Sequence, residues 1–106
     1  MVRTVFCALI AALLWVTSSM AAEHVVLQKN KLFSVAEITV KPGDAIVFKN
    51  DDDVAHNVFS AAKDFPFNLK IQSPGTSASI SFEREGKFEI RCVMHPGMKL
   101  MVEVKK

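Results

Sequence analysis

The stretch that decides the fold is Gly86-Lys87-Phe88-Glu89-Ile90-Arg91-Cys92-Val93-Met94-His95-Pro96-Gly97-Met98. Its first half alternates apolar and charged side chains, and this period of two predicts a strand with one buried face that ends at Cys92. In its second half Cys92, His95 and Met98 follow one another at steps of three, and Pro96-Gly97 predicts a sharp turn. A thiol, an imidazole and a thioether are therefore expected to converge at the end of a strand.

The chain before and after this stretch has the same strand character. Turn signals such as Lys41-Pro42-Gly43-Asp44 and Glu83-Arg84-Glu85-Gly86 separate short apolar runs. Residues 60–76 predict a long connection, with a helical turn near Ser60–Lys63. The predicted strands are Val25–Gln28, Phe33–Val40, Ala45–Lys49, His56–Phe59, Ser77–Phe82, Lys87–Cys92 and Lys99–Val104. The residues expected to face the core are Ala36, Ile38, Val40, Ala78, Ile80, Phe82, Phe88, Ile90, Cys92, Leu100, Val102 and Val104. This pattern predicts an all-β, two-sheet β-sandwich.

The first 22 residues have the composition of a secretory signal peptide. A single Arg3 precedes an apolar run from Val5 to Val16, and small residues follow. Cleavage after Ala21 would leave residues 22–106 as the mature domain, and cleavage after Ala22 is the alternative. An uncleaved membrane anchor is the alternative, but the apolar run is shorter than the roughly 20 residues that a spanning helix needs. We therefore expect an exported, periplasmic protein with no stable membrane insertion after cleavage.

Composition and charge limit the function classes. The chain has 106 residues, a formal net charge of +2, 50% hydrophobic and 23% charged residues, which fits one small globular domain and excludes a large multi-site enzyme. Lysine and arginine are scattered, so no nucleic-acid partner is expected. Removing the signal peptide removes Cys7 and leaves Cys92 as the only cysteine. A lone thiol in an oxidising compartment cannot form an internal disulfide, and this points to a metal.

Four residues form the candidate metal site: His56, Cys92, His95 and Met98. Two imidazoles and a thiolate, with a weak axial thioether, are the ligands of a type 1 blue copper site that transfers single electrons. Zinc would favour more cysteine or histidine and has no need of methionine. A nucleophilic Cys92–His95 pair is a further alternative, but no oxyanion-hole motif accompanies it. A copper-free structural sandwich is the remaining interpretation.

A second copper site depends on processing. Cleavage after Ala21 would give a mature terminus of Ala22-Glu23-His24, whose free amine and third-position histidine can hold Cu(II) in a square-planar nitrogen set.

The combined pattern resembles the cupredoxins over essentially the whole mature chain. It consists of Lys41-Pro42-Gly43-Asp44 before a strand, His56-Asn57-Val58, and Gly86-x-Phe88-x-Ile90-x-Cys92-x-x-His95-Pro96-x-Met98. The short loop is most similar to amicyanin, whereas plastocyanin and pseudoazurin have a longer His-to-Met spacing. The resemblance implies a Greek-key sandwich of about seven to eight strands that binds one copper through His56, Cys92, His95 and Met98. It also implies that Asn57 braces the ligand loop and that a nearby backbone N–H bonds the Cys92 sulfur.

Three residues depart from the family pattern. Met94 stands where the family usually has proline, Phe88 where it commonly has tyrosine, and Gly97 where amicyanin has a bulkier residue. The departures remove no ligand, so the expectation of copper stands, while the reduction potential and the partner do not follow from the resemblance.

The expected function is a non-enzymatic, monomeric one-electron carrier with transient partners such as a cytochrome c or a periplasmic dehydrogenase. His95 would be the electron port, and Asp51–Asp53 would steer a basic partner unless it is a solvated turn. The alternative is copper delivery or storage, with Met94 and Met101 as extra thioethers. A copper enzyme is disfavoured because His24 is the only spare histidine.

Overall fold

The computed structural model describes residues 20–106 and consists there of nine strands without a helix. The strands are β1 (Glu23–Lys29), β2 (Leu32–Phe33), β3 (Glu37–Val40), β4 (Asp44–Asn50), β5 (His56–Ser60), β6 (Phe67–Gln72), β7 (Ser77–Phe82), β8 (Gly86–Arg91) and β9 (Lys99–Val104). The predicted signal peptide, with Cys7, lies almost wholly outside this range. Among the described residues there is no helix that could cross a membrane.

The strands form two mixed sheets packed face to face. The first sheet has the order β2-β1-β4-β7 and the second has the order β3-β9-β8-β5-β6. The pairs β1–β4 and β3–β9 are parallel, and the remaining pairs are antiparallel. This arrangement confirms the predicted Greek-key β-sandwich.

The core lies between the sheets and is built by period-two alternation, since successive side chains of a strand point to opposite faces. In β8, Phe88 and Ile90 are buried while Lys87 and Glu89 are exposed. Phe65, from the connection after β5, closes one side of the core, with its ring centroid 5.3 Å from that of Phe82 and 5.2 Å from that of Phe88. The predicted inward faces of the last three strands are confirmed.

The predicted strand Phe33–Val40 is wrong because the chain changes sheets within it. Phe33 belongs to the first sheet and Ile38 to the second. Ser34 ends the first segment, where its N–H donates to the Leu27 carbonyl at 2.8 Å. In one continuous strand an odd and an even position would face opposite sides, so the crossover lets Phe33 and Val40 both reach the core. Ala36, expected inside, is exposed on the crossover.

The connection predicted over residues 60–76 contains an unforeseen strand, β6, and a turn replaces the predicted helical turn. The turn lies two residues later than the predicted Ser60–Lys63, because the Phe65 N–H donates to the Ala62 carbonyl at 3.2 Å. Along β6 the alternation changes phase at Lys70, which has a φ of 67°. Ile71 therefore faces solvent and Gln72 faces the core.

Asp44 connects the beginning of β1 to the turn that precedes β4. Its carboxylate accepts hydrogen bonds from the Ala22 N–H at 2.9 Å, His24 Nε2 at 2.9 Å and the Lys41 N–H at 3.0 Å. The bond from His24, then those from Lys41 and Ala22, lower the pKa of Asp44 from 3.8 to about 2. A square-planar copper site on Ala22-Glu23-His24 would have to displace the bond between the Ala22 nitrogen and Asp44.

Candidate metal centre

Of the four predicted ligands, one begins β5 and three lie in the loop between β8 and β9. His56 is the first residue of β5, and Cys92 follows the last residue of β8. The two strands are neighbours in the second sheet, with Phe59 opposite Arg91. His95 lies in the loop, and Met98 directly precedes β9.

The structure brings three of the donor atoms together. His56 Nδ1 lies 3.1 Å from His95 Nδ1, and Cys92 Sγ lies 3.6 Å from His95 Nδ1. The ligand atoms of the three residues lie within 4.8 Å of one another. Met98 is fully buried and belongs to the same hydrophobic core as Cys92. A thiol and two imidazoles facing one small volume fit a soft to borderline metal ion such as copper.

The loop between β8 and β9 makes a tight turn that sets the order of these side chains. The Met98 N–H donates to the His95 carbonyl at 2.9 Å, which places Pro96-Gly97 at the tip. The Arg91 guanidinium donates to the Pro96 carbonyl at 2.8 Å and to Glu89 Oε1 at 2.7 Å. The same arginine lowers the pKa of Glu89. Arg91 thus holds the tip of the loop against the end of β8.

Asn57 braces the ligand loop and Cys92 from the side of β5. Its backbone N–H donates to Cys92 Sγ at 3.3 Å, and its side-chain Oδ1 accepts from the Val93 N–H at 3.4 Å. Its Nδ2 donates to Asn68 Oδ1 and to the Lys70 carbonyl. Such contacts to a ligand sulfur and its loop hold a metal ligand in place.

Asn50, at the end of β4, and Asp52, in the loop before β5, have structural roles that the sequence did not reveal. Asn50 is fully buried, and its Nδ2 donates to the carbonyls of Val54 and Gln72, both at 2.9 Å. Asp52 accepts from His56 Nε2 at 2.8 Å and from the Lys31 N–H at 2.9 Å. The Lys31 bond and then the His56 bond lower the pKa of Asp52. An aspartate four residues before a candidate histidine ligand was the available signal.

Apolar side chains surround the exposed part of the cluster. Val93 and Met94 are 65% and 42% exposed, Pro96 and Gly97 are exposed, and His95 is half-buried between them. Cys92 and His56 are buried behind this surface. The cluster therefore approaches solvent only through His95.

A Greek-key β-sandwich with a Cys-His-His cluster at the end of adjacent strands defines the class of small copper proteins. The match to a family model agrees: residues 21–105 match the copper-binding proteins of the plastocyanin/azurin family. The chain belongs to that family.

Individual relatives include the methylamine utilization protein MauL from two bacteria. The match to the Methylophilus methylotrophus protein is 28% identical over 82 residues, or 74% of this chain and 47% of the relative. The match to the Methylorubrum extorquens protein is 32% identical over 68 residues, or 63% of this chain and 60% of the relative. The chain thus spans about half to three fifths of the length of these relatives.

Solved structures agree on the fold. The Cu(I) form of an amicyanin mutant superposes with a TM-score of 0.73 at 23% identity, covering 78% of this chain and 82% of that protein. The copper-containing nitrite reductase of Thermus scotoductus superposes with a TM-score of 0.73 at 20% identity, covering 79% of this chain but 22% of the reductase. The same sandwich therefore occurs both as a free-standing domain and as part of an enzyme.

Proposed function

We propose that this protein is a type 1 blue copper protein that carries single electrons and has no catalysis of its own. The observation that carries the proposal is the cluster of His56, Cys92 and His95, whose ligand atoms lie within 4.8 Å of one another. Met98 is buried in the same core as Cys92. When bound, copper would supply the one-electron Cu(II)/Cu(I) couple.

Each ligand would have a distinct role. His56 Nδ1, His95 Nδ1 and Cys92 Sγ would hold the ion, and the Met98 thioether would be the fourth and weakest donor. A thiolate and a thioether suit Cu(I), and the imidazoles suit Cu(II). A buried, hydrogen-bonded ligand set needs little rearrangement between the two states, and this favours electron transfer.

His95 would be the electron port, because it is the one ligand of the proposed set that approaches the surface. The exposed Val93 and Met94 beside it would give a small apolar docking surface, which suits brief redox encounters. The acidic run Asp51–Asp53 would contribute less to steering than its sequence predicts, since Asp52 is turned inward.

The partners would be other exported redox proteins. The names of the MauL relatives refer to methylamine utilization, so an amine-oxidising dehydrogenase is the donor that we propose, with a soluble cytochrome c as acceptor. Fold-level analogy is the basis of this step. The protein would act as a monomer.

We place the protein in the periplasm and its mature start at residue 22. The apolar run and small residues before Ala22 support cleavage there. The contact between the Ala22 nitrogen and Asp44 at 2.9 Å supports the same boundary. A new α-ammonium group at Ala22 would meet a carboxylate that is already in position.

Electron exchange tests the proposal. The copper-loaded mature protein, reduced with ascorbate, should pass one electron per molecule to ferricytochrome c and be reducible again. Val93→Asp should slow this exchange without changing the copper spectrum. Val25→Asp, at a similarly exposed valine on β1 of the first sheet, should leave the exchange rate unchanged. A protein that binds Cu(I) tightly but does not cycle would overturn the carrier function and favour copper delivery.

A further inference from the structure

Asp52 is set apart from its two acidic neighbours by its burial and its contacts. Asp51 and Asp53 are exposed, while the Asp52 side chain is only 9% exposed. Its Oδ2 accepts both from His56 Nε2 at 2.8 Å and from the Lys31 N–H at 2.9 Å, and its Oδ1 accepts from the Asp53 N–H at 2.9 Å. The carboxylate is thus fixed from three directions.

The Lys31 N–H, the second donor to Asp52 Oδ2, belongs to a hairpin with an unusual backbone conformation. Asn30 and Lys31, between β1 and β2, both have left-handed backbone conformations, with φ of 53° and 57°. Lysine adopts this conformation rarely. Here it directs the Lys31 N–H at Asp52, so the hairpin of the first sheet holds the carboxylate that contacts His56 in the second sheet.

The contact determines the proton position on His56. A carboxylate accepts but does not donate, so Nε2 of the neutral ring carries the hydrogen. Nδ1 is then left with a free lone pair, and it points toward His95 Nδ1 at 3.1 Å. A histidine ligand whose other nitrogen bonds a carboxylate is oriented and made more basic.

We propose that Asp52 is a positioning residue for the metal centre, and this inference rests on the proposed copper function. Its hydrogen bond holds His56 in the tautomer that presents Nδ1. Its negative charge, one imidazole ring away from the ion, favours Cu(II) over Cu(I) and lowers the reduction potential. Asp51 and Asp53 carry the same charge without a contact to the ligand.

Two substitutions separate the charge from the hydrogen bond. In Asp52→Asn, the amide oxygen at the position of Oδ2 can still accept from His56 and Lys31, so the tautomer is kept and the charge is lost. In Asp52→Ala both are lost. Asp51→Asn is the matched control, because it removes one charge from the adjacent exposed position.

The reduction potential is the first readout. Asp52→Asn should shift the Cu(II)/Cu(I) equilibrium about tenfold toward Cu(I), which is about 59 mV for one electron. Asp51→Asn should shift this equilibrium less than about twofold. Asp52→Glu keeps the charge, so its reduction potential should stay close to that of the original protein. A purely structural role would weaken both oxidation states equally and leave the potential unchanged. Equal shifts in Asp52→Asn and Asp51→Asn would also overturn the proposal.

The second readout needs no copper. In the metal-free protein, ¹⁵N NMR of His56 should show the hydrogen on Nε2, slow to exchange with solvent, and Asp52→Ala should give a mixture of tautomers. A hydrogen on Nδ1 in the unsubstituted protein would refute the inference. If the unsubstituted protein shows the hydrogen on Nε2 but gives no blue copper spectrum, the proposed function alone is refuted.

Discussion

Buried polar side chains shape the loop that leads into His56. Asn50 is fully buried and donates to two carbonyls, those of Val54 and Gln72, while its Oδ1 accepts from the Asp52 N–H at 3.0 Å. Gln72 in turn accepts from Gln28 Nε2 at 2.7 Å, which links the two sheets. The position of the metal centre therefore depends on amides that contribute no ligand.

Asn50→Ala should destabilise the metal-free protein by about 1–3 kcal/mol, because it leaves buried carbonyls without a donor. Urea unfolding monitored by circular dichroism measures the change. Lys49→Ala, at the neighbouring exposed position, should stay within about 0.5 kcal/mol of the original protein. Equal losses in the two variants would show that the Asn50 hydrogen bonds do not matter.

Asp44 should make stability depend on pH in the acid range. Its pKa is lowered from 3.8 to about 2 in the folded protein, so the unfolded chain binds its proton first as pH falls. The stabilisation is therefore complete above about pH 4 and is lost as pH decreases toward 2.

Asp44→Asn should flatten the stability profile between about pH 4 and pH 2. Thermal unfolding at several pH values measures this, and Asp64→Asn, at an exposed position, is the control. The same acid dependence in Asp44→Asn and in the original protein would contradict the assigned role.

At the level of strands, sequence periodicity predicted those elements whose alternation is unbroken. The strands β7, β8 and β9 have one apolar face throughout, and the prediction placed them to within about a residue. It failed where the phase changes inside an apolar segment, at the crossover between Phe33 and Ile38 and at Lys70 in β6. Apolar residues at both odd and even positions signal a change of sheet or a bulge, and Phe33 with Val40 was that signal.

Gly86, the first residue of β8, is a position where a side chain would not fit. Its φ is 148°, and a Cβ there would lie 3.0 Å from Phe88 Cζ. Gly86→Ala should therefore destabilise the protein by about 1–3 kcal/mol, as measured by urea unfolding. Gly97→Ala has open space around the new methyl group and should be nearly neutral for the metal-free protein. The opposite order of stabilities would refute this account.

For the whole molecule, the sequence predicted the kind of metal site better than it predicted the residues that hold the ligands in place. The spacing of Cys92, His95 and Met98 indicated one loop with three candidate ligands, because a short loop with a tight turn keeps these side chains close together. The contacts of Asn50, Asp52 and Arg91 depend on how the two sheets pack, and no local pattern encodes that. The prediction that Asp51–Asp53 steers a basic partner did not anticipate the burial of the Asp52 side chain, for the same reason.

The visible spectrum of the mature protein with one equivalent of Cu(II) tests the central claim most directly. We predict an intense blue absorption from a Cys92 thiolate–copper bond, which disappears on reduction with ascorbate and returns on reoxidation. Cys92→Ser should lack the band. A colourless Cu(II) complex of the unsubstituted protein, or a band that survives Cys92→Ser, would contradict the account.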